Sequence, residues 1–536
     1  MLSETLTTHP IAQSVAQRFN RARWAKAAWL GVVLLLTLFQ GYRMFSGGAS
    51  YADIGWIIFW LAVLATFANP RYGLYALFFF GMLADANLLR TYPFNKNFSS
   101  GESLFYVGGA YIFSPLELFL VLLFVSWLGR AVMRRKLDWH INDLFWPVMV
   151  FSGFMVYGLV WGIARGGANM NIGLWEVRPI FYLTAVFILT TNLITTREHV
   201  NQIYWLLTFA LFIEGIAGVL FAKNMLNWDI GSVEKITEHS AAIHINTYIL
   251  LMILVQLYKG SPKRRMIMPL LSPPVIFTYI ATQRRTAFLT LGMMLGLMTI
   301  FLYQQNRRLF YFIVPPGAVL AVVYVLAFWN VTSAAGMPAQ AIKSVVAPDQ
   351  ISAKDKSSDE YRLIENMNSA FTIHTYPLTG VGFGQKFIIA FPMPDISFFD
   401  WWEYITHNSV MWIWMKTGFG GFLSMIVMIG LSIAVGVRVI WRMPTSDMQG
   451  ADMKAIAITG TFFFIMHFMY AYLDMSWDTQ GMLYLGVTMG VIGNLEWIVA
   501  KPVPLPRKRW RWQPDPEPVA GLNPVPEGPL IKTKLW

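Results

Sequence analysis

The sequence predicts an all-α polytopic membrane protein with about 14 transmembrane helices and one large periplasmic loop. The 536-residue chain is 56% hydrophobic, and only 13% of its residues are charged. A soluble domain usually carries about 25% charged residues. Most basic residues lie between long apolar runs, so the formal net charge of +12 indicates cytoplasmic membrane loops rather than nucleic-acid binding. The absence of cysteine excludes a disulfide framework, thiol catalysis and Cys-ligated metal sites.

The first 25 residues predict a cytoplasmic amphipathic tail. Ile11, Val15 and Phe19 recur at the spacing of one helical face, and arginines surround them. This pattern is typical of a helix that lies on an anionic membrane surface. About two dozen mostly polar residues precede the first apolar run, so no cleavable signal peptide is expected.

Fourteen apolar runs approach the length of about 20 residues that a membrane-crossing helix needs. Eleven lie within residues 26–329 and three within residues 408–499. If the runs alternate across the membrane, the basic clusters between them fall on one side, and the positive-inside rule makes that side the cytoplasm. Both termini are then cytoplasmic, including a proline-rich basic tail over residues 500–536 that is expected to be disordered. The runs are 26–45, 53–69, 72–89, 114–133, 143–162, 174–193, 200–221, 239–258, 266–282, 286–303, 309–329, 408–437, 454–473 and 480–499.

The long connection over residues 330–407 is predicted to lie on the outer side. It contains five basic and eight acidic residues and is therefore mildly acidic. The capping-box pattern at residues 357–360 predicts the start of a helix, which should end before Pro377. The glycine-rich residues 380–384 then predict a flexible turn. A long ordered loop of this kind is usually functional.

Basic side chains at the outer face predict a site. Arg178 lies at the outer end of the sixth apolar run, Arg284 and Arg285 lie at the outer start of the tenth, and His407 directly precedes the twelfth. These arginines run against the positive-inside bias, which indicates that they bind a ligand. The three helices would point their N-termini outwards, where free N–H groups and the helix dipole favour an anion. Guanidinium groups in such a place suit a diphosphate.

A neutral histidine beside a diphosphate suggests glycosyl transfer. The helix dipole would disfavour the imidazolium form of His407, so that the imidazole could take a proton from an acceptor hydroxyl. Structural alternatives remain open. His407 could merely cap its helix, the arginines could bind lipid headgroups, and Glu117 is expected to be a capping residue. Adjacent Arg284 and Arg285 point about 100° apart on a helix, so only one of them is expected to face a site.

A motif around the histidine resembles a known family. His407-Asn408, followed by nine residues and then Gly418-Phe419-Gly420-Gly421, resembles the pattern of bacterial O-antigen ligases and the related Wzy-type polymerases. Arg285 with Leu289 resembles the Arg-x-x-x-Leu element of the same family. Residues 362–384 are similar to part of its large periplasmic loop. The resemblance does not separate ligases from polymerases.

The resemblance implies a metal-independent glycosyltransferase of GT-C-like architecture, without a cofactor, in the bacterial inner membrane. The donor would be an undecaprenyl-diphosphate-linked glycan, and the acceptor would be a glycan or the lipid A core. Contacts with membrane lipids are expected, and contacts with other polysaccharide-assembly proteins are compatible with the resemblance. The active site would face the periplasm.

The family's residue roles carry over to matching positions. Arg178 and Arg285 would bind the diphosphate, and Arg284 is a neighbour that could replace Arg285. His407 would be the catalytic base. Neighbouring side chains that could support the site are Tyr182, Asn408 and Arg362.

Three functions remain open after these observations. A polymerase would add lipid-linked repeat units to a growing polysaccharide, and a ligase would move a finished glycan onto lipid A core. A transporter of lipid-linked oligosaccharides would do neither, but it should show internal repeats and charges at the membrane midplane. No clear repeat is present. The acidic loop favours the polymerase, because like charges would repel a phosphate-rich lipid A core.

Overall fold

The computed structural model describes residues 30–42, 44–46, 51–83, 94, 96, 97, 99, 113–137, 139–232, 236–238, 240–394, 396, 401–445 and 447–500. The described residues up to Val499 form one compact unit. The predicted amphipathic N-terminal helix and the proline-rich tail therefore lie outside the described residues, apart from residue 500.

All regular secondary structure within these described ranges is helical. Residues 30–42 and 44–46 are helical, and short 3-10 turns lie at Ile230–Ser232, Ala334–Gly336 and Pro348–Gln350. The α-helices that follow residue 50 are α1 (Tyr51–Ala68), α2 (Pro70–Met82), α3 (Pro115–Arg134), α4 (Phe145–Ala164), α5 (Met170–Leu193), α6 (Arg197–Asn224), α7 (Ala241–Leu257), α8 (Pro262–Ala281), α9 (Arg285–Gln305), α10 (Arg307–Ala327), α11 (Met337–Val346), α12 (Ala353–Thr375), α13 (Ser409–Arg442), α14 (Met448–Leu473) and α15 (Thr479–Ala500).

Nine helices in the described part of the chain are long and apolar enough to cross a membrane: α3, α4, α5, α6, α9, α10, α13, α14 and α15. The prediction of an all-α polytopic membrane protein is confirmed at this level. The other five predicted runs also coincide with helical residues, but those segments are shorter or less apolar; α2, for example, has 13 residues. The total of fourteen spans and their orientation stay predictions.

Helices α14 and α15 form the centre of the helical bundle. In their most apolar stretches, 72% and 78% of the residues are buried, whereas the corresponding share for α10 is 0%. Small residues permit this packing, since Gly460 of α14 faces Thr488 and Ile492 of α15. The apolar surface of α10 is therefore available to lipid.

The connection between α10 and α13 contains two helices, α11 and α12, where the sequence predicted one. The predicted start of α12 at residues 357–360 is wrong, because the helix begins at Ala353. Ser352 is the cap: its hydroxyl accepts from the Asp355 N–H at 3.1 Å and donates to the Asp355 carboxylate at 2.8 Å. This earlier cap closes the first turn before the second candidate is reached. The end at Thr375, before Pro377, is as predicted.

The glycine-rich residues 380–384 return from the loop into the bundle. Gly380, Gly382 and Gly384 have φ values of 67°, 90° and 76°, a region that favours glycine. Gly382 lies directly against α4, because a Cβ there would come within 2.3 Å of the Gly162 Cα. The N–H groups of Val381 and Gly382 donate to carbonyls of α13 at 2.8 and 3.0 Å. The turn is thus packed between α4 and α13.

The chain just before this turn packs against a break in α13. Gly418 has φ 68° and ψ −172°, so the first nine residues of α13 form a separate helical piece. A Cβ at Gly418 would lie 2.0 Å from the Leu378 carbonyl oxygen. Asn408 caps this piece by accepting the Met411 N–H at 3.1 Å. The break and the cap together fix the position of His407 at the top of α13.

Candidate active site

His407 is held by a buried carboxylate on the loop helix α12. Its Nδ1 lies 3.2 and 3.1 Å from the two carboxylate oxygens of Glu365, and its backbone N–H donates to Glu365 at 2.8 Å. The Glu365 side chain is almost completely buried, whereas that of His407 is 29% exposed. The loop helix therefore orients the imidazole while leaving it accessible.

The pairing with Glu365 selects one histidine tautomer. A carboxylate only accepts hydrogen bonds, so Nδ1 carries the proton and donates, and Nε2 retains its lone pair. Tyr361 donates to Glu365 at 3.3 Å and meets the imidazole edge-on, with ring centroids 5.8 Å apart. Burial raises the pKa of Tyr361, and the Glu365 charge raises it further. The phenol therefore remains a donor that supports the carboxylate.

Arg285 connects the start of α9 to the loop helix. Its guanidinium lies 3.1 Å from the carboxylate of Asp359 and 3.5 Å from that of Asp355, one turn earlier on α12. Both acidic side chains are partly exposed. These contacts place Arg285 beside the cleft that holds His407.

Two further arginines meet at one buried carboxylate. Arg362 of α12 lies 3.5 Å from Asp474, and Arg284 lies 3.8 Å from the same oxygen. Arg284 is the N-terminal cap residue of α9 rather than part of the helix. The prediction placed both arginines on one helix, about 100° apart, whereas Arg284 precedes the helix. The two guanidinium groups reach different acids, Arg284 that of Asp474 and Arg285 those of Asp355 and Asp359. Two guanidinium groups thus meet at the buried Asp474 carboxylate beside the cleft.

An open cleft of about 260 Å³ lies beside the histidine. Residues of α12, the two residues that precede α13 and the end of α14 line it, with both polar and apolar side chains. Within the described ranges, no group of three or more His, Asp or Glu side chains is arranged to hold a metal ion. The lining includes His407, Asn408, Asp359, Arg362, Asn366 and Tyr472.

Arg178 and Tyr182 lie on α5, in a different group of contacts. The Arg178 guanidinium pairs with Glu117 and donates to Asn97 at 3.0 Å. Glu117 also forms the predicted capping box with Ser114 at the start of α3, which is confirmed. Tyr182 is 1% exposed. The structure therefore groups Arg284, Arg285, Arg362 and Asn408 with His407, and groups Arg178 with the start of α3.

A buried ion pair below the cleft joins α5 to α13. Lys416 lies 2.9 Å from Glu176, and neither side chain is exposed. Lys416 also donates to the Gln385 carbonyl at 2.6 Å, and Glu176 accepts the Gly384 N–H at 2.6 Å. Trp412 bridges Glu176 and the Tyr404 carbonyl. The pair thus holds Gly384 and Gln385 at one end, and Lys416 at the other end, of the chain segment that contains His407.

Sequence reasoning missed several of these residues. Glu365 lies three residues after Arg362, a spacing that places both on one face of a helix, and this spacing was the available signal. Asp474 follows a long apolar run without any local pattern. The pairing of Glu176 with Lys416 had no signal, because the partners lie on two helices far apart in the sequence.

Residues 274–426 match the family model described as O-antigen ligase. The matched range begins in α8 and ends in α13, and it includes Arg284, Arg285, the whole loop and His407. The resemblance predicted from the motifs is confirmed by this match. No protein of curated function matches the chain.

Proposed function

We propose, from the match with the O-antigen ligase family, that this chain is a membrane glycosyltransferase of the ligase and polymerase type. It would transfer a glycan from an undecaprenyl-diphosphate-linked donor to a sugar hydroxyl at the periplasmic face, in the biosynthesis of O-antigen or exopolysaccharide. The observation that carries the proposal is the pairing of His407 with the buried Glu365 beside an open cleft.

The proposed reaction is a single displacement at the anomeric carbon. The acceptor hydroxyl loses its proton to Nε2 of His407, and its oxygen forms the new glycosidic bond. The bond between the anomeric carbon and the diphosphate oxygen breaks, and the undecaprenyl diphosphate leaves with the bonding electrons. Glu365 stabilises the imidazolium that forms, as a carboxylate does in hydrolytic triads. A single displacement inverts the anomeric configuration.

The arginines beside the cleft are proposed to bind the leaving diphosphate. Arg285 and Arg284 lie at the N-terminus of α9, where the helix dipole also favours an anion. Arg362 on the loop helix is paired with Asp474 and is proposed to support the site. Stabilising the charge that develops on a leaving group is usually a large contribution to catalysis. Arg178 is proposed as a further ligand, which would have to exchange its contact with Glu117 for the diphosphate.

The leading candidate for the reaction is repeat-unit polymerisation. The acidic residues of the loop support it, because they would repel the phosphates of lipid A core. The second candidate is an O-antigen ligase, which the description of the matched family favours. Both reactions would use the same base and the same donor. A transporter without chemistry would not need a histidine oriented by a carboxylate.

Reconstitution in liposomes tests the proposal. The purified protein is incubated with a lipid-linked repeat unit, with and without lipid A core, and the glycans are separated by size. A ladder of longer glycans without core is the expected result for a polymerase. Transfer that requires core would establish the ligase. No new glycosidic bond in either mixture would overturn the glycosyltransferase assignment and favour transport.

A further inference from the structure

Two asparagine side chains that line the cleft next to His407 each contain one amide atom without a hydrogen-bond partner among the described residues. The Oδ1 of Asn366 and the Nδ2 of Asn408 are both inaccessible to solvent, and neither has a hydrogen-bond partner among the described residues. Asn366 lies on α12, one residue after Glu365, and Asn408 directly follows His407. A buried polar atom without a partner is costly. The Asn366 Oδ1 is thus an acceptor, and the Asn408 Nδ2 a donor, that a ligand could satisfy.

We propose that this cleft is the binding site for the acceptor sugar, as an uncharged pyranose ring, and that Asn366 determines which hydroxyl pattern it accepts. After a rotation of each side chain towards the cleft, the Asn366 Oδ1 would accept a hydrogen bond from one ring hydroxyl, and the Asn408 Nδ2 would donate to another. This inference rests on the proposed function, because it assigns the acceptor to one subsite of the same active site.

The remaining cleft surface matches the chemistry of a sugar ring. Tyr472, which is 58% exposed, supplies an aromatic face, and aliphatic side chains of α12 and α14 extend it. A pyranose has hydroxyl groups around its rim and C–H groups on its faces, so it can use both polar and apolar walls. Sites for small molecules usually combine such an apolar surface with a few convergent polar groups.

The charges around the cleft favour a neutral ring over an anionic group. Asp359 lines the cleft and contributes a carboxylate, whereas Arg362 is already paired with Asp474. A second anion in the cleft would face Asp359 and the Glu365 carboxylate behind His407. The diphosphate of the donor therefore fits the Arg284 and Arg285 side, and an uncharged acceptor fits the side of the amides.

A site that hydrogen-bonds a hydroxyl rejects analogues that lack it, because its buried polar groups are then left unpaired. Asn366 lies on the loop helix, whereas Arg284 and Arg285, the proposed diphosphate ligands, lie at the start of α9. A change at this position should alter the choice of acceptor without altering the donor. Asn366 is therefore a specificity-determining residue rather than a catalytic one.

The test uses the full-length protein in lipid nanodiscs and two variants. Asn366→Ala removes the acceptor atom and keeps a good helix former in α12. Asn408→Ser removes the amide N–H donor and keeps a side chain that can cap α13. Met367→Ala is the matched control, because Met367 is a neighbouring, 40% exposed residue of α12 that lies outside the cleft lining.

Saturation-transfer NMR measures binding of methyl glycosides of glucose, galactose, mannose, rhamnose and N-acetylglucosamine. At least one glycoside should bind to the wild type and to Met367→Ala, and its affinity should fall about 5- to 10-fold in each amide variant. If a variant does not fold, monodeoxy forms of the bound glycoside replace it, and at least one should bind the wild type more weakly by the same factor. Absence of binding by every glycoside, or equal binding to all proteins, would overturn the proposal.

Kinetics separate this inference from the proposed function. In the liposome assay, Asn366→Ala and Asn408→Ser should each raise the acceptor KM about 5- to 10-fold while the donor KM stays constant. Active transfer with an unchanged acceptor KM would reject the acceptor subsite and leave the glycosyltransferase intact. Glycoside binding in a protein that forms no glycosidic bond would retain the sugar site and reject the enzyme.

Discussion

Two groups of charged residues flank the same stretch of chain, and they differ in their access to solvent. The Glu176–Lys416 pair is completely buried, and backbone groups of the returning loop complete its hydrogen bonds. The cleft group around His407 is open: the His407 side chain is 29% exposed and that of Asp359 is 44% exposed. Charges in a low-dielectric interior cannot exchange partners without a large cost, whereas exposed pairs exchange easily. The buried pair therefore positions the chain, and the open group is suited to bind ligands.

The largest effect is expected from His407→Ala. Loss of a general base usually lowers the rate about 10²- to 10⁴-fold, so transfer in liposomes should become undetectable. His407→Gln is the matched variant, since its amide can still donate to Glu365 but cannot act as a base. Both variants should insert and unfold at nearly the wild-type temperature. Normal product from either variant would remove His407 as the base.

For Glu176→Gln, in the buried pair, we expect a loss of stability rather than a specific loss of transfer activity. Removing one partner of a buried ion pair leaves an uncompensated charge and costs roughly 3–5 kcal/mol in the free energy of unfolding. Thermal unfolding in detergent should show a strongly lowered Tm. The double variant Glu176→Gln with Lys416→Met should recover most of the loss, because neither charge remains. An unchanged Tm with lost transfer would give the buried pair a catalytic role and remove the distinction between the two groups.

Glu365→Gln should lower the transfer rate about 10²- to 10⁴-fold, because the amide can present its N–H₂ to Nδ1 and select the histidine tautomer that cannot act as the base. The exposed Glu360 on the same helix provides the control, and Glu360→Gln should leave the rate nearly unchanged. The measurement is the transfer rate at saturating donor and acceptor. Equal rates in the two variants would mean that Glu365 does not orient the base.

A smaller effect is expected from Arg285→Lys, about 10-fold on the donor KM. An ammonium cannot reproduce the bidentate fork that a guanidinium presents to phosphate. Arg308→Lys, at the opposite end of the α9 and α10 hairpin, is the control for a change in surface charge. Full activity of Arg285→Lys would point to Arg284 or to a lipid-binding role.

Asp359→Asn should have the smallest effect, and it should lower the donor KM rather than raise it. The Asp359 carboxylate competes with the diphosphate for Arg285, so its removal should lower the donor KM about 2- to 5-fold. Asp349→Asn, on the same loop but outside the cleft lining, controls for the general loss of negative charge. A raised donor KM in Asp359→Asn would show that the aspartate helps to hold the donor.

Features with a local cause could be predicted from the sequence. The capping box of α3 depends on Ser114 and Glu117, three residues apart, and the end of α12 depends on Pro377. The start of α12 was misplaced because two serine caps compete within six residues and only one can begin the helix. Hydrophobic length predicted the helical class but not the number of helices that reach spanning length.

The candidate site could be predicted only in part, because many of its contacts join residues that are far apart in the sequence. Span order brought Arg284, Arg285 and His407 to one end of the bundle, and the structure groups them there. The partners that define their chemistry are distant in sequence: Glu365 is 42 residues from His407, and Asp474 is 112 residues from Arg362. Arg178 was expected at the same place, but its pairing with Glu117 depends on how α3 and α5 pack.

The break at Gly418 gives the first piece of α13 a fixed length, which sets the distance between the break and His407. Nine helical residues separate Asn408 from Gly418, and the ten steps between them span about 15 Å. The Leu378 carbonyl touches the lower end of this piece, and Glu365 holds the histidine at its upper end. One inserted residue would rotate His407 by about 100° and raise it by about 1.5 Å. Length and rotational phase of this piece, rather than its side chains alone, therefore aim the imidazole at the cleft.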